Sequence, residues 1–155
     1  MNGIPRVVFD TNILFSALGW RGNPYHCVQA ARQGKCLSAT CEPILQELAE
    51  KLQLKRGFEA AKVAEAIEEI RLFSKVIETP RALKFVAADP DDDAVLECAA
   101  ISQAQYLVSG DRHLLALGSY QGIQIIKAAE FLALLQSAPN SLEPDGPQAD
   151  NPKPK

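Results

Sequence analysis

The sequence predicts an α/β fold with a central, mainly parallel five-stranded sheet covered by helices on both faces. Three observations carry this. The candidate strands are short and mostly continuously apolar, as in strands buried on both sides. Segments of helical periodicity separate them. Acidic residues recur at strand ends and helix starts, where α/β proteins bind ligands.

Arg6-Val7-Val8-Phe9 reads as the first strand, followed by a helical turn from Asn12 to Leu18. Gly19-Trp20-Arg21-Gly22-Asn23-Pro24 is rich in breakers and reads as a loop. Pro24 suits the first turn of a helix that runs to about Gln33 and stops at Gly34. Leu37-Ser38-Ala39 is the second strand, and Thr40 is placed to cap the next helix. In that helix Ile44, Leu48 and Leu52 follow i, i+4, i+8 with Leu45 beside them, so one face is buried. Glu47 flanks this stripe. Gly57 interrupts the pattern, and a helix resumes from Glu59 to Phe73. Lys75 to Ile77 is the third strand. A connector from Thr79 to Ala88 precedes a helix from Asp92 to Gln103. Gln105 to Ser109 is the fourth strand, Arg112 to Leu117 a short helix, Ile123 to Ile126 the fifth strand, and Ala128 to Gln136 the last helix.

The 155 residues suit one domain with a single core and a tail. The expected domain is 1–136. Residues 137–155 are Pro-rich, nearly free of large apolar side chains, and expected to be disordered. A 47% apolar and 23% charged composition is that of an ordinary globular chain. The net charge of −3 neither announces nucleic-acid binding nor opposes it, because acids clustered around a metal mask local basic patches. No apolar run approaches a membrane span of ~20 residues. The N-terminus lacks the pattern of a signal peptide, so the expected location is cytoplasmic. Cys27, Cys36, Cys41 and Cys98 form no CxxC pair and sit in apolar context. They read as reduced structural thiols.

Four acids have the placement a divalent-metal site requires. Asp10 ends the first strand and leads into Thr11 and Asn12, whose side chains suit orientation of neighbouring carboxylates. Two other readings of Asp10 are an N-cap and an Asp nucleophile. The nucleophile reading usually wants a second Asp where Asn12 stands. Glu47 is the acid of its helix best able to lean into a crevice. Asp89-Pro90-Asp91-Asp92 reads as an acidic turn from which Asp93 opens a helix, with Glu97 one turn on. Asp92 competes with Asp93 for the same role. The following Ala-Val-Leu-Glu-Cys-Ala-Ala marks a buried helix, which a merely solvated acidic turn explains poorly. Ser109-Gly110-Asp111-Arg112-His113 ends the fourth strand. There Gly110 permits close backbone approach, Asp111 completes the acid set, Arg112 is a candidate phosphate contact, and His113 reads as a surface residue or a ligand. Clustered carboxylates repel, and Mg²⁺ or Mn²⁺ with oxygen ligands is the usual compensation.

In Val7-Val8-Phe9-Asp10-Thr11-Asn12-Ile13-Leu14, Glu47, Asp89 to Ala99 and Leu107 to Leu115, the chain resembles the PIN domain family, over about residues 5–135. Its nearest look is to the VapC-like toxins of bacterial toxin–antitoxin systems. The resemblance implies a three-layer α/β/α PIN-like sandwich and a Mg²⁺- or Mn²⁺-dependent endoribonuclease. It carries Asp10, Glu47, Asp93 and Asp111 over as the catalytic, metal-holding acids, with Thr11, Asn12 and Ser109 in support. It also implies a small antitoxin partner and a homodimer. Many relatives have an acid two residues beyond the position of Asp111, where this chain has His113; an imidazole there favours transition metals such as Mn²⁺. Arg21, Arg32, Lys35 and Arg112 are candidate RNA contacts. The competing expectations are a non-catalytic binding module of the same fold and a flap-type DNA nuclease, for which the chain is too short.

Overall fold

The computed structural model describes residues 3–80 and 90–137. Of the expected connector over 79–88, residues 81–88 lie outside the described residues, as do residues 138–155 of the tail expected over 137–155, while Ser137 closes the last helix. The elements follow in the order β1 (Arg6–Phe9), α1 (Thr11–Ala17), α2 (Asn23–Arg32), β2 (Leu37–Cys41), α3 (Glu42–Arg56), α4 (Ala60–Phe73), β3 (Ser74–Ile77), α5 (Pro90–Ile101), β4 (Tyr106–Val108), α6 (Arg112–Leu117), β5 (Ser119–Tyr120), β6 (Ile123–Ile126) and α7 (Ala128–Ser137).

The strands form one sheet in the order β3-β2-β1-β4-β6-β5. Every pairing is parallel except β5 with β6. The sheet therefore has six strands, not the expected five. The extra strand is a two-residue edge, joined to β6 through Gln121 and Gly122. Both take positive φ, 50° and 85°, as the tight turn of a right-twisted hairpin demands. A two-residue strand has no periodicity to read.

The sheet is buried on both faces. Val7, Val8 and Phe9 of β1 and Leu107 and Val108 of β4 are all essentially inaccessible, which is why these strands read as unbroken apolar runs. Phe131 of α7 stacks edge-on against Phe9 and Tyr106, at centroid distances of 6.2 and 5.7 Å. Alternation turns Val8 and Asp10 to the other face, together with Cys41 of β2. There Cys41 hydrogen-bonds Cys98 of α5. The sheet is thus the middle layer of three, with α7 and α5 on opposite sides.

Two helix starts depart from expectation. Thr40 does not cap α3; it remains in β2, and Cys41 holds the cap position without a side-chain hydrogen bond. Residues 90–92 are not a turn, because α5 begins at Pro90. Proline is at home in a first turn, whose N–H groups have no helical partner, and acids there meet the positive end of the helix dipole. At the far end of α3, Gly57 adopts φ 66°, a left-handed C-cap that explains the break before α4.

Candidate active site

The strand order reverses direction at β1, with β2 on one side and β4 on the other. Such a switch point opens a crevice at the carboxyl ends of the two strands. Asp10 follows β1 there and Ser109 follows β4. The backbone N–H of Asp10 donates to Val108 O at 3.0 Å, and Ser109 N donates to Ile126 O at 3.0 Å, so both stay tied to the sheet.

Asp10 is 5% exposed and uses both carboxylate oxygens. Oδ1 accepts from Thr11 N at 2.8 Å, which caps α1, and Oδ2 accepts from the Ser109 hydroxyl at 2.7 Å. The same Ser109 oxygen accepts from Asp111 N at 2.9 Å. Burial pushes the Asp10 carboxyl above its ordinary value; the Ser109 and Thr11 hydrogen bonds pull it down; the charges of Glu47 and Asp111 push it up again. The structure therefore brings Asp10, Glu47 and Asp111 into one electrostatic neighbourhood.

Glu47 is held from two sides. Thr11, itself 1% exposed, donates its hydroxyl to Glu47 Oε1 at 2.8 Å. Lys51, one turn on along α3, places its ammonium 3.7 Å from Glu47 Oε2 and donates to Asn12 Oδ1 at 2.7 Å. Lys51 was not among the residues expected here. Its signal was present: a Glu followed four residues later by Lys on one helix face.

Asp111 caps α6, its Oδ1 accepting from His113 N at 2.7 Å and Leu114 N at 3.2 Å. Arg112 and His113 are exposed beside it. Nothing crowds Gly110, so the close approach expected there is not what the position serves. On α5, Asp92, Asp93 and Glu97 are all buried, and none is without a partner. α5 packs against β1, β2 and α3, on the face of the sheet to which Asp10 turns.

Among the described residues, no three His, Cys, Asp or Glu side chains are drawn tightly enough together to hold a metal ion as they stand. The donor chemistry nonetheless fits a hard divalent cation. It is all oxygen, and it centres on a buried carboxylate with two like charges nearby, which a cation would relieve. The thiols take no part. None of the four is in a disulfide among the described residues, all are buried, and burial raises Cys27 and Cys36 to about 12.

The architecture is a mainly parallel α/β sandwich with acids gathered at its switch point, where such sheets bind ligands. Residues 6–113 match the PIN domain family, and the chain belongs to it. The structure is similar to PAE2754 of Pyrobaculum aerophilum, with a TM-score of 0.58 and 19% identity, covering 86% of this chain and 91% of that one. It is also similar to a chain of VapBC2 of Rickettsia felis, solved bound to a DNA fragment from their promoter. There the TM-score is 0.56 and the identity 13%, covering 77% of this chain and 96% of that one. No curated protein is significantly similar in sequence. Among the described residues no helix is long and apolar enough to cross a membrane.

Proposed function

We propose that this PIN domain is a Mg²⁺- or Mn²⁺-dependent endoribonuclease and the toxin of a type II toxin–antitoxin pair. The observation that carries the reading is Asp10: a buried carboxylate at the switch-point crevice, with Glu47 and Asp111 as charged neighbours. Asp10, Glu47, Asp93 and Asp111 would hold the ion. When bound, it would supply an activated water and neutralise charge on the scissile phosphate. Ser109 holds Asp10 by Oδ2, and Thr11 holds Glu47 by Oε1, so each carboxylate keeps a fixed orientation. Lys51 ties Glu47 to Asn12 at the mouth of the crevice. Exposed Arg112, beside Asp111, would meet an RNA phosphate. The carboxylates bind and orient; none is the nucleophile.

The test is cleavage of single-stranded and structured RNA with Mg²⁺, Mn²⁺ or EDTA, with Asp10→Asn in parallel. Metal-dependent cleavage lost in the variant is expected. Equal cleavage by Asp10→Asn sinks the mechanism. The VapBC2 likeness supports a small antitoxin partner, testable by co-expression with any small reading frame found beside the gene. A homodimer in the cytoplasm is the expected free form, and light scattering of the purified chain checks its mass. A second reading, a non-catalytic binding module, is favoured by the absence of a tight ligand cluster among the described residues. It predicts RNA or protein binding with no cleavage under any metal.

A further inference from the structure

We propose a nucleobase-binding subsite at Trp20, built with Arg56, Arg21 and Tyr25, that seats single-stranded RNA beside the acidic crevice. It rests on the nuclease reading and adds to it where the strand lies.

The first ground is charge. The chain holds 19 Asp and Glu, yet none occurs between Asp10 and Glu42. That acid-free stretch makes α1, the loop after it and α2, and it carries Arg21, Arg32 and Lys35. Arg32 is already occupied by Glu69 at 3.4 Å and by the Phe73 ring. Lys35 lies two residues before β2, at the opposite end of the sheet from the crevice. Arg21 is exposed, with its guanidinium 5.4 Å from the Tyr25 ring centroid. Arg21 thus stands exposed in a stretch of sequence without acids, which suits a polyanion, while Glu65, Glu68 and Glu69 of α4 line a groove with Leu18 on the other side.

The second ground is the state of Trp20 and Arg56. Trp20 stands in the loop between Gly19 and Gly22 and is 59% exposed. The Arg56 guanidinium lies 3.8 Å from the Phe15 ring centroid and 5.9 Å from that of Trp20. It fills the space a side chain at Gly19 would need. Nη1 and Nη2 are both buried, and neither has a hydrogen-bond partner among the described residues. The exposed indole suits a stacked base and the exposed Arg21 guanidinium suits the phosphate, with the buried Arg56 guanidinium adding its charge from beneath the loop. An acidic peptide would use only the guanidinium groups. A duplex, with its bases already stacked, would leave the indole unused.

The third ground is reach. α1 begins at Asp10, which caps it, and ends at the Trp20 loop. From Asp10 through α1 and its last turn to Trp20 the chain rises roughly 15 Å, a distance a strand of a few nucleotides spans.

Trp20 is the sole tryptophan, so its fluorescence reports on this loop alone. Full-length protein in EDTA would be titrated with single-stranded oligoadenylate, an abasic ribose-phosphate oligomer of equal length, and an oligoglutamate peptide. Quenching by oligoadenylate alone is expected. By anisotropy of a labelled oligoadenylate, Trp20→Ala should weaken binding about 10-fold and Trp20→Phe much less. In cleavage assays Trp20→Ala should raise KM with kcat nearly unchanged. Absent quenching, or unaltered binding by Trp20→Ala, overturns the subsite. Equal quenching by oligoglutamate also overturns it and assigns the surface to a protein partner. The two readings fail separately: quenching without cleavage leaves the subsite standing and the nuclease not, whereas normal cleavage by Trp20→Ala without quenching does the reverse.

Discussion

Ser109 donates its hydroxyl to Asp10 Oδ2 at 2.7 Å across 99 residues of sequence, and this contact joins the ends of the two central strands. Because the same oxygen accepts from Asp111 N, one buried serine couples two acids.

Removing that hydroxyl should move a pH profile. The Ser109 hydrogen bond favours the ionised form of Asp10 against a burial penalty that opposes it. In Ser109→Ala the Asp10 carboxyl rises further. If ionised Asp10 is needed for turnover, the acid limb of log kcat against pH shifts to higher pH. An unmoved acid limb would separate Asp10 from the titration that controls activity. Stability should also fall by about 1–3 kcal/mol, the range for a buried hydrogen bond left half-made, which denaturant unfolding measures.

Asp10→Asn should stabilise the apoprotein at neutral pH. The folded-state pKa of Asp10 lies above 3.8 because burial disfavours its charge. The folded state therefore holds the proton more tightly than the unfolded chain. The stability from this group is fully present below about pH 3.8 and is lost as pH rises through the folded value. Asparagine never ionises, and its Oδ1 can still cap α1. Melting without divalent ions should give Asp10→Asn the higher Tm at pH 7, with the gap closing in acid. A lower Tm at pH 7 would refute the desolvation argument.

Divalent ions should reverse that order. A ligand that binds only the folded state adds RT ln(1 + [L]/Kd), about 2.7 kcal/mol at a hundredfold excess over Kd. Mn²⁺ or Mg²⁺ should raise the Tm of the parent protein and leave Asp10→Asn nearly unmoved. Equal shifts in both would place the ion elsewhere.

Thr11→Val keeps the shape of the residue and deletes the donor to Glu47 Oε1. The expected cost is about 0.5–1.5 kcal/mol. Glu47 then keeps only Lys51 as its restraint, and cation affinity should weaken. Calorimetric titration with Mn²⁺ checks this; an unchanged Kd would mean that Glu47 does not bear on the ion.

The native protein should be inert to thiol reagents. Cys27 and Cys36 are raised to about 12, and Cys98 is raised by its hydrogen bond to Cys41 and by burial. Thiolate is then negligible at neutral pH. A chromogenic disulfide should find no fast-reacting thiol in the folded protein and all four in denaturant. Fast reaction of even one would show a local opening.

The parallel core was legible because strands buried on both faces must be apolar throughout, as Val7-Val8-Phe9 and Tyr106-Leu107-Val108 are. α3 was legible because Ile44, Leu45, Leu48 and Leu52 fall on one face, and all four are buried. The acids were legible as positions but not as a geometry: which carboxylate approaches which depends on pairing between strands far apart in sequence. Asp10 does cap α1, one of the readings weighed for it, and the same carboxylate also accepts from Ser109. The start of α5 was misjudged because a run of aspartates has low helix propensity, which the proline and the dipole at a helix start override. The antiparallel β5 was invisible for its length, and Gln121 at positive φ lacks the usual Asn or Gly signature.

The 99-residue separation between Asp10 and Ser109 also sets an order of events during synthesis. β1 leaves the ribosome first, but its neighbour β4 is made only after β2, β3 and five helices have emerged. Non-local parallel pairing is the slow step of such topologies. A nascent or truncated chain that lacks residues beyond about 105 therefore holds Asp10 at the margin of an unfinished sheet, with neither Ser109 nor Asp111 in place. A latent period of this kind would keep the crevice unassembled until translation of the domain is nearly complete.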